Sequence, residues 1–468
     1  MVTPLDPTAA AFLLAENRQQ PMHVGGLQLF KPPEDAGPNY VRERFAASLA
    51  AEDIAPLFLR RPHRSVTTGG QWVWIEDEQF DCDYHVRHSA LPAPGRIREL
   101  LDLCGRLHGT RLALERPLWE THIIEGLADG RVATYTKIHH ALVDGVSSMR
   151  LLQSVLSTDP DRRDMPPPWA RQQVEGVGAD PHLDPALLDL PISAFRSAFA
   201  ITAEAAGMPA ALLRTLTRGI RNDTSALSLY APRTVLNKQI TGSRRFAAQS
   251  WEIERMRSVG AATSTTLNDV VLAMCSGAVR RYLSELGKLP DSTLVAMVPV
   301  GLKAKEAATP SATGGNAVGA VMVKLATDVE DPAERLLRIH RSMRSGKEAL
   351  GTMTPVQILA MSALGMAPAV LPAMLRLHGI TRPPFNLIIS NVPGPQQPHY
   401  FNGARLDGMW PLSIPIHGMA LNITCTSYNG EMGFGLTGCR RTLPHLQRLL
   451  VHLDDELADL EKSAGVRS

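Results

Sequence analysis

Two hydrophobic periods take turns along the chain, and they predict its elements. From Arg131 to His139, Val132, Thr134, Thr136 and Ile138 occupy one set of alternate positions and Ala133, Tyr135 and Lys137 the other. The β-branched residues favour an extended chain, so this stretch reads as a strand. Asp144-Gly145 closes a turn behind it. A helix then begins near Val146, with Met149, Leu152 and Leu156 at helical spacing. Upstream, Asp6-Pro7 reads as an N-cap with proline at the first helical position, and a short helix runs through Phe12 to Glu16. A strand ending near Phe30 follows. Val41, Phe45 and Leu49 predict a helix over Asn39 to Glu52, and alternation predicts short strands at Trp72 to Glu76 and Tyr84 to Arg87. Another helix is expected over Arg96 to Leu107.

The periodicity breaks at Asp159 to Ala170, where Pro166, Pro167 and Pro168 cannot continue a helix. A first domain is therefore placed at 1–186, its last sixteen residues a loop. A connector at 187–245 follows, because Pro191 to Arg245 sets eight Lys or Arg against Glu204 and Asp223, with Phe195, Phe199, Leu212 and Leu216 supplying apolar faces. A basic amphipathic helix pair rests on a lipid surface or is solvated between domains, and both readings stand. The second domain, 246–468, opens at Phe246 to Arg255 and continues with a helix starting at Ser264 to Asn268. Strands are expected at Leu294 to Pro299, Val318 to Leu325 and Phe385 to Asn391, with a charged helix over Glu334 to Leu350. His417 to Tyr428 and Glu431 to Gly438 form a hairpin across Asn429-Gly430, a type I′ signal. Leucines from Leu443 to Leu460 repeat at helical spacing and should cover the second sheet. Ile358 to Leu375 carries no charge, but Pro368 and Pro372 interrupt it, which favours a buried or channel-lining segment over a membrane span.

Composition narrows the class. With 468 residues the chain is too long for one typical core, and 44% hydrophobic with 20% charged residues is the mix of an ordinary globular protein. A net charge of +2 gives no footprint for nucleic acid. Cys82, Cys104, Cys275, Cys425 and Cys439 are scattered without a CxxC pair, which fits a reduced, cytoplasmic setting. The opening residues lack the basic start, apolar core and cleavage site of a secretory leader, so export by that route is not expected.

Candidate chemistry sits at the end of the Val132 strand, in His139, His140, Asp144 and Gly145. Neighbouring strand residues point to opposite faces, so one histidine should be functional and the other structural. A neutral imidazole takes a proton from a hydroxyl near pH 7, the usual general base for acyl transfer to an alcohol. Asp144 is placed to accept local N–H groups or meet a buried arginine, and Gly145 would permit a tight bend. The plain alternative is a buried histidine beside a turn aspartate. A metal site built from His139, His140 and Asp144 is poorly formed, because their side chains diverge.

The string HHALVDG, preceded by PLWETHIIEGLADGR at Pro117 to Arg131, resembles the bacterial wax ester synthase / acyl-CoA:diacylglycerol acyltransferase family. The resemblance continues through Thr265 to Ala273, which matches an Asn-Asp motif, through Gly314-Gly315-Asn316, through Ser390 to Pro395 (SNVPGP), and through Gly418 to Gly430 (GMALNITCTSYNG). It implies an α/β fold of two similar chloramphenicol acetyltransferase-like domains, mixed sheets flanked by helices, with the active site between them. It also implies His140 as general base, Asp144 chiefly as a support, and a less defined part for the adjacent His139. Asn268 and Asp269 would lie near the reaction centre, although capping of their own helix explains them equally well. The expected activity is O-acyl transfer from long-chain acyl-CoA to diacylglycerol or a fatty alcohol. No cofactor or metal is expected, and peripheral association with membrane or lipid droplets is. Two other readings are an acyl transfer from a carrier protein and a non-catalytic droplet protein. One position departs from the family: an Asp-Arg pair is expected where this chain has Cys439-Arg440.

Overall fold

The computed structural model describes residues 2–5, 7–171, 231–301, 318–351 and 382–466. The first half contains β1 (Thr3–Pro4), α1 (Pro7–Ala15), β2 (His23–Lys31), α2 (Tyr40–Leu49), α3 (Pro56–Leu59), β3 (Arg60–Arg64) and β4 (Trp72–Glu76). It continues with α4 (Cys82–His85), β5 (Val86–Ala90), α5 (Ile97–His108), β6 (Trp119–Glu125), β7 (Val132–His139) and α6 (Gly145–Ser154). The second half holds β8 (Arg244–Glu252), α7 (Ile253–Thr263), α8 (Leu267–Glu285), β9 (Val295–Gly301), β10 (Val318–Lys324) and α9 (Pro332–Gly351). After these come β11 (Leu387–Val392), β12 (Tyr400–Phe401), β13 (Ala404–Leu412), β14 (Leu421–Tyr428), β15 (Glu431–Cys439) and α10 (Arg448–Ser463).

Two mixed six-stranded sheets result, ordered β12-β13-β2-β7-β6-β5 and β10-β9-β11-β14-β15-β8, beside a small β1-β4-β3 sheet. β7 lies inside the first sheet, antiparallel to β2 and β6, with His139 opposite His23 and Lys137 opposite both Gly25 and Glu120. Helix α5 covers one face through Leu100 and Cys104; α6 covers the other through Met149 and Leu152. In the second half α8 is buried nearly all round, from Val270 to Leu283, between its sheet and the leucine face of α10.

The strand β13 was not anticipated. It belongs to the C-terminal half by sequence but pairs antiparallel with β2, so the first sheet takes strands from both halves and a cut at residue 246 divides the chain, not the sheets. Three further expectations shift. Tyr84 to Arg87 is not one strand: Asp81 caps the short helix α4 by accepting from Asp83 N at 3.0 Å, and extension begins only at Val86. β14 starts at Leu421 because a tight turn with positive φ at Gly418 occupies the preceding residues. The last helix starts at Arg448, although Leu443 and Leu446 before it are still buried. Asn429 and Gly430 both take positive φ, as a type I′ turn requires. The Asp6 cap, most of the basic Pro191 to Arg245 stretch, Gly314 to Asn316 and the apolar Ile358 to Leu375 lie outside the described residues. Among the described residues no helix is long and apolar enough to cross a membrane.

Candidate active site

Backbone hydrogen bonds hold both histidines at the end of β7: His139 N donates to Leu118 O at 2.9 Å and His140 N to Met22 O at 2.8 Å. Strand alternation then separates them. His139 joins the buried Tyr135 and Lys137 face, while His140 projects from the Thr136 and Ile138 face and is half-buried.

His139 is locked in place. Its Nδ1 accepts from Ala141 N at 3.0 Å, so the neutral ring carries its proton on Nε2, which lies 3.7 Å from Glu16 Oε1. Burial, reinforced by His140 and Arg111, pushes its pKa down to about 3, which leaves it uncharged at neutral pH. His140 stacks on Phe12 with ring centroids 4.2 Å apart and planes inclined by 23°. Burial lowers its pKa, and the charge of Asp144 and its own backbone carbonyl pull the other way without cancelling the shift. Among the described residues Nδ1 of His140 has no hydrogen-bond partner. A proton on Nδ1 leaves the Nε2 lone pair free, the state a base needs.

Asp144 is exposed and caps α6: Oδ1 accepts from Ser147 N at 2.8 Å and Oδ2 from Ser147 Oγ at 3.1 Å. Gly145 is the first residue of that helix. Its φ is not positive and a Cβ there would meet nothing nearer than Val24 Cγ1 at 3.9 Å, so the tight bend expected of it is absent. The cap, not a flexible glycine, turns the chain. Asn268 and Asp269 fall in the first turn of α8. Asp269 is buried, and its Oδ2 accepts from Thr266 N at 2.9 Å, Thr266 Oγ1 at 2.7 Å and His340 Nδ1 at 2.8 Å, a capping box tied to α9. Among the described residues no hydrogen bond or ion pair joins either to His139 or His140. The structure thus brings His139, His140, Asp144 and Gly145 together at the end of β7, and gives Asp269 a capping role in its own helix.

Behind His139 runs a buried polar network that sequence reading missed. Lys137 Nζ reaches Glu120 Oε2 at 3.1 Å and donates to Leu107 O and Thr110 O at 3.2 and 2.9 Å. Burial works to raise the Glu120 carboxyl, but His122, Lys137 and Arg87 outweigh it and hold its pKa down to about 2. His108 Nε2 donates to Ser413 O at 2.9 Å, which makes Nδ1 the acceptor from Tyr135 OH at 2.8 Å. His23 is buried with Nε2 2.9 Å from His108 O. A cavity of about 520 Å³ opens beside this network, between Arg87, Arg111, Glu120 and Lys137. On the His140 face a narrower cavity of about 80 Å³ runs between Thr136, Ile123, Phe30 and Leu152. A lysine in mid-strand was the one visible signal of the network. Glu16 gave none, since a single carboxylate after a helix looks like a solvated end. Trp119 is fully buried, stacked on His85 and Trp169, with Nε1 donating to Phe58 O at 2.9 Å, so it is a packing residue. Cys439, at the departing position, is also buried; its Sγ accepts from Thr241 N at 3.4 Å and Thr442 Oγ1 at 3.3 Å beside the buried Arg244. Burial tends to raise that thiol, and these hydrogen bonds hold it below its ordinary value.

Comparison with known proteins adds to this geometry. The sequence profile of the wax ester synthase/diacylglycerol acyltransferase catalytic domain matches residues 5–271, and that of the WS/DGAT C-terminal domain matches residues 314–461. Two Mycobacterium tuberculosis chains named as diacylglycerol O-acyltransferases are each 46% identical, one over 98% of this chain and 99% of its own length, the other over 99% and 100%. The solved wax ester synthase/diacylglycerol acyltransferase of Marinobacter aquaeolei superposes with a TM-score of 0.79 at 44% identity, covering 99% of this chain and 100% of that one. A condensation domain of the calcium-dependent antibiotic synthetase shares the fold alone, with a TM-score of 0.55 at 18% identity. The chain belongs to the wax ester synthase/diacylglycerol acyltransferase family.

Proposed function

We propose that this protein is an acyl-CoA-dependent O-acyltransferase acting on diacylglycerol, a fatty alcohol or both, with His140 as its general base. The observation that carries the reading is the state of the two histidines. His139 is neutral with Nδ1 occupied by Ala141 N–H, whereas His140 is half-buried, depressed in pKa and unengaged at both ring nitrogens by side chains of the described residues. His140 Nε2 would take the proton of the acceptor hydroxyl as its oxygen attacks the thioester carbonyl carbon. The tetrahedral intermediate then collapses, the C–S bond breaks, and the imidazolium returns the proton to the CoA sulfur. No acyl-enzyme is required. A positioned base of this kind contributes about 10²–10⁴ in rate. Asp144 acts by capping α6 and by favouring the imidazolium across the turn; His139 acts as a structural partner. Among the described residues no group of three or more His, Cys, Asp or Glu is arranged for a metal, and the mechanism as written uses none.

The acceptors of such a reaction are water-insoluble, which supports peripheral work at a membrane or droplet surface. The basic Pro191 to Arg245 stretch is the segment proposed to touch it; flotation with anionic vesicles, lost at high salt, tests that placement. The reaction itself is tested by thiol release from palmitoyl-CoA with dioleoylglycerol or hexadecanol as acceptor. Acceptor-dependent release that falls by at least about 10²-fold in His140→Ala is expected. Equal release by both proteins would remove the base from His140 and the mechanism with it.

A further inference from the structure

We propose that helix α1 is a positioning element for the general base, with Phe12 and Glu16 as the two residues through which it acts. The inference rests on the reading of His140 as base, and it concerns a stretch of chain more than a hundred residues upstream of that histidine.

Two observations meet at the end of this helix. Phe12 lies flat against the imidazole of His140 at 4.2 Å, which removes one side of the ring from water and restricts its χ angles. Phe12 also packs against the cluster of Leu13, Leu118 and Ala141 and against that of Met22, Val24 and Ile414, which holds the ring in place. Glu16, just past the helix, is the second contact. Its side chain is fully buried, yet the chemistry above does not use it. Oε1 accepts from Met22 N at 3.2 Å, and Met22 O is the acceptor for His140 N. The same oxygen faces the protonated Nε2 of His139 at 3.7 Å, and Oε2 faces Arg111 at 3.3 Å. One carboxylate therefore ties the start of β2 to both histidines at the end of β7.

The physical effect is pre-organisation. An imidazole that must meet a hydroxyl within hydrogen-bond distance loses rate steeply with small displacements, about 10²-fold for an ångström. His140 lies just past a strand end, before a turn, where its backbone N–H is held by Met22 O and its side chain is not part of the sheet. The charged groups around the pair are Asp144 from the turn before α6, Glu16 after α1, and Arg111 from the chain following α5. Only Asp144 acts on His140 directly; Glu16 and Arg111 sit on the His139 side. Phe12 thus controls the hydration of His140, and Glu16 its backbone.

The test uses the full-length chain and the palmitoyl-CoA and dioleoylglycerol assay, with kcat, KM, the pH profile of kcat/KM and Tm measured together. Phe12→Ala should lower kcat at least about tenfold while KM for palmitoyl-CoA stays within about twofold. Its acid limb should move up in pH toward the ordinary imidazole value of about 6.5, because water reaches the ring and relieves the burial that depresses it. Phe12→Leu, which keeps the apolar volume, guards against a folding failure and should leave the acid limb near its original place. Glu16→Leu should lower kcat to a similar extent, and Glu16→Gln, which keeps an acceptor for Met22 N–H, should recover most of it. Leu14→Ala on the exposed side of the same helix should behave as the original protein. Phe12→Ala and Glu16→Leu with unchanged kcat would overturn the proposal. So would a kcat loss matched by a fall in Tm with the acid limb unmoved, since that is a merely structural helix. If the unaltered protein releases no thiol with either acceptor, the functional reading fails instead; activity abolished in His140→Ala but intact in the helix variants would fail this inference alone.

Discussion

Asp144 has two effects that one substitution can separate. Its oxygens cap α6 through Ser147, and its charge raises the basicity of His140 against the burial that lowers it. Asparagine caps as well as aspartate but carries no charge. Asp144→Asn should therefore leave stability within about 0.5 kcal/mol, while Asp144→Ala loses the cap and about 1 kcal/mol. The sign of the activity change follows from the charge. Without the carboxylate the imidazolium is less favoured, the pKa of His140 falls further, and the acid limb of kcat/KM moves to lower pH. A profile of kcat/KM against pH checks this; an acid limb that moves up, or stays still, would mean that Asp144 does not reach the base electrostatically. Much of this residue-scale picture was legible beforehand. Alternation alone put His139 and His140 on opposite faces, and HHALVDG with the family resemblance singled out His140 and Asp144. Phe12 and Glu16 were not legible, because their relation to His140 is a contact between chain segments with no spacing rule to announce it.

At the scale of elements, the decisive contact is between β13 and β15. Gly435 lies where a Cβ would come within 2.0 Å of Pro411 O, and Gly433 where it would meet Met409 O at 2.8 Å. The backbones of two sheets touch there, and only glycine admits the approach. Trp410 Nε1 to Ser250 Oγ at 3.1 Å and Ser413 N to Thr437 Oγ1 at 3.2 Å fasten the same seam. Gly435→Ala should force the sheets apart and destabilise by about 2–4 kcal/mol, in the range of overpacked or backbone-strained sites. Because β13 pairs with β2, and β2 carries Met22 and His23 at its start, the displacement should also lower kcat; Gly430→Ala, at an open hairpin tip with positive φ, should destabilise without that loss. A melt and a kcat measurement on both variants decide between the two outcomes, and equal kcat losses would break the link from seam to site. This crossing explains what sequence pattern did not disclose. Strand period and turn residues located β2, β7, β9, β10, β11, β14 and β15 within a few residues, since each of them obeys a local rule. Which sheet a strand joins is a long-range choice, and nothing in Ala404 to Leu412 distinguishes a partner in the first half from one in the second.

Across the whole molecule, the buried titratable groups set how the fold answers to acid. His108 and His139 have pKa values near 3 because burial opposes their charged forms, and Glu120 sits near 2 because its bonds to His122, Lys137 and Arg87 overcome burial. In the unfolded chain the histidines return to about 6.5 and the glutamate to about 4.3. Between about pH 6.5 and 3 the unfolded state therefore binds more protons at His108 and His139, and burial lowers His23, His85 and His140 in the same direction, so stability falls as pH falls through that window. Each histidine accounts for on the order of 4 kcal/mol over its full range. Glu120 adds a loss that begins below about pH 4.3 and continues to its folded value. Lys137 does not offset this, because it is protonated in both states throughout the acid range. Against a total stability of about 5–15 kcal/mol, two such histidines remove a large share of it as the pH falls toward 3. Acid unfolding followed by tryptophan fluorescence should accordingly set in below about pH 6.5, with a slope of at least about two protons. His108→Gln keeps a polar side chain but cannot charge, so it should flatten the slope by about one proton even if it lowers stability at neutral pH. A slope that His108→Gln leaves unchanged would show that protons enter elsewhere. The same network lies directly behind His139, so activity should be lost wherever the chain unfolds, and the protonation of His140 is read from kcat/KM at pH values above that transition.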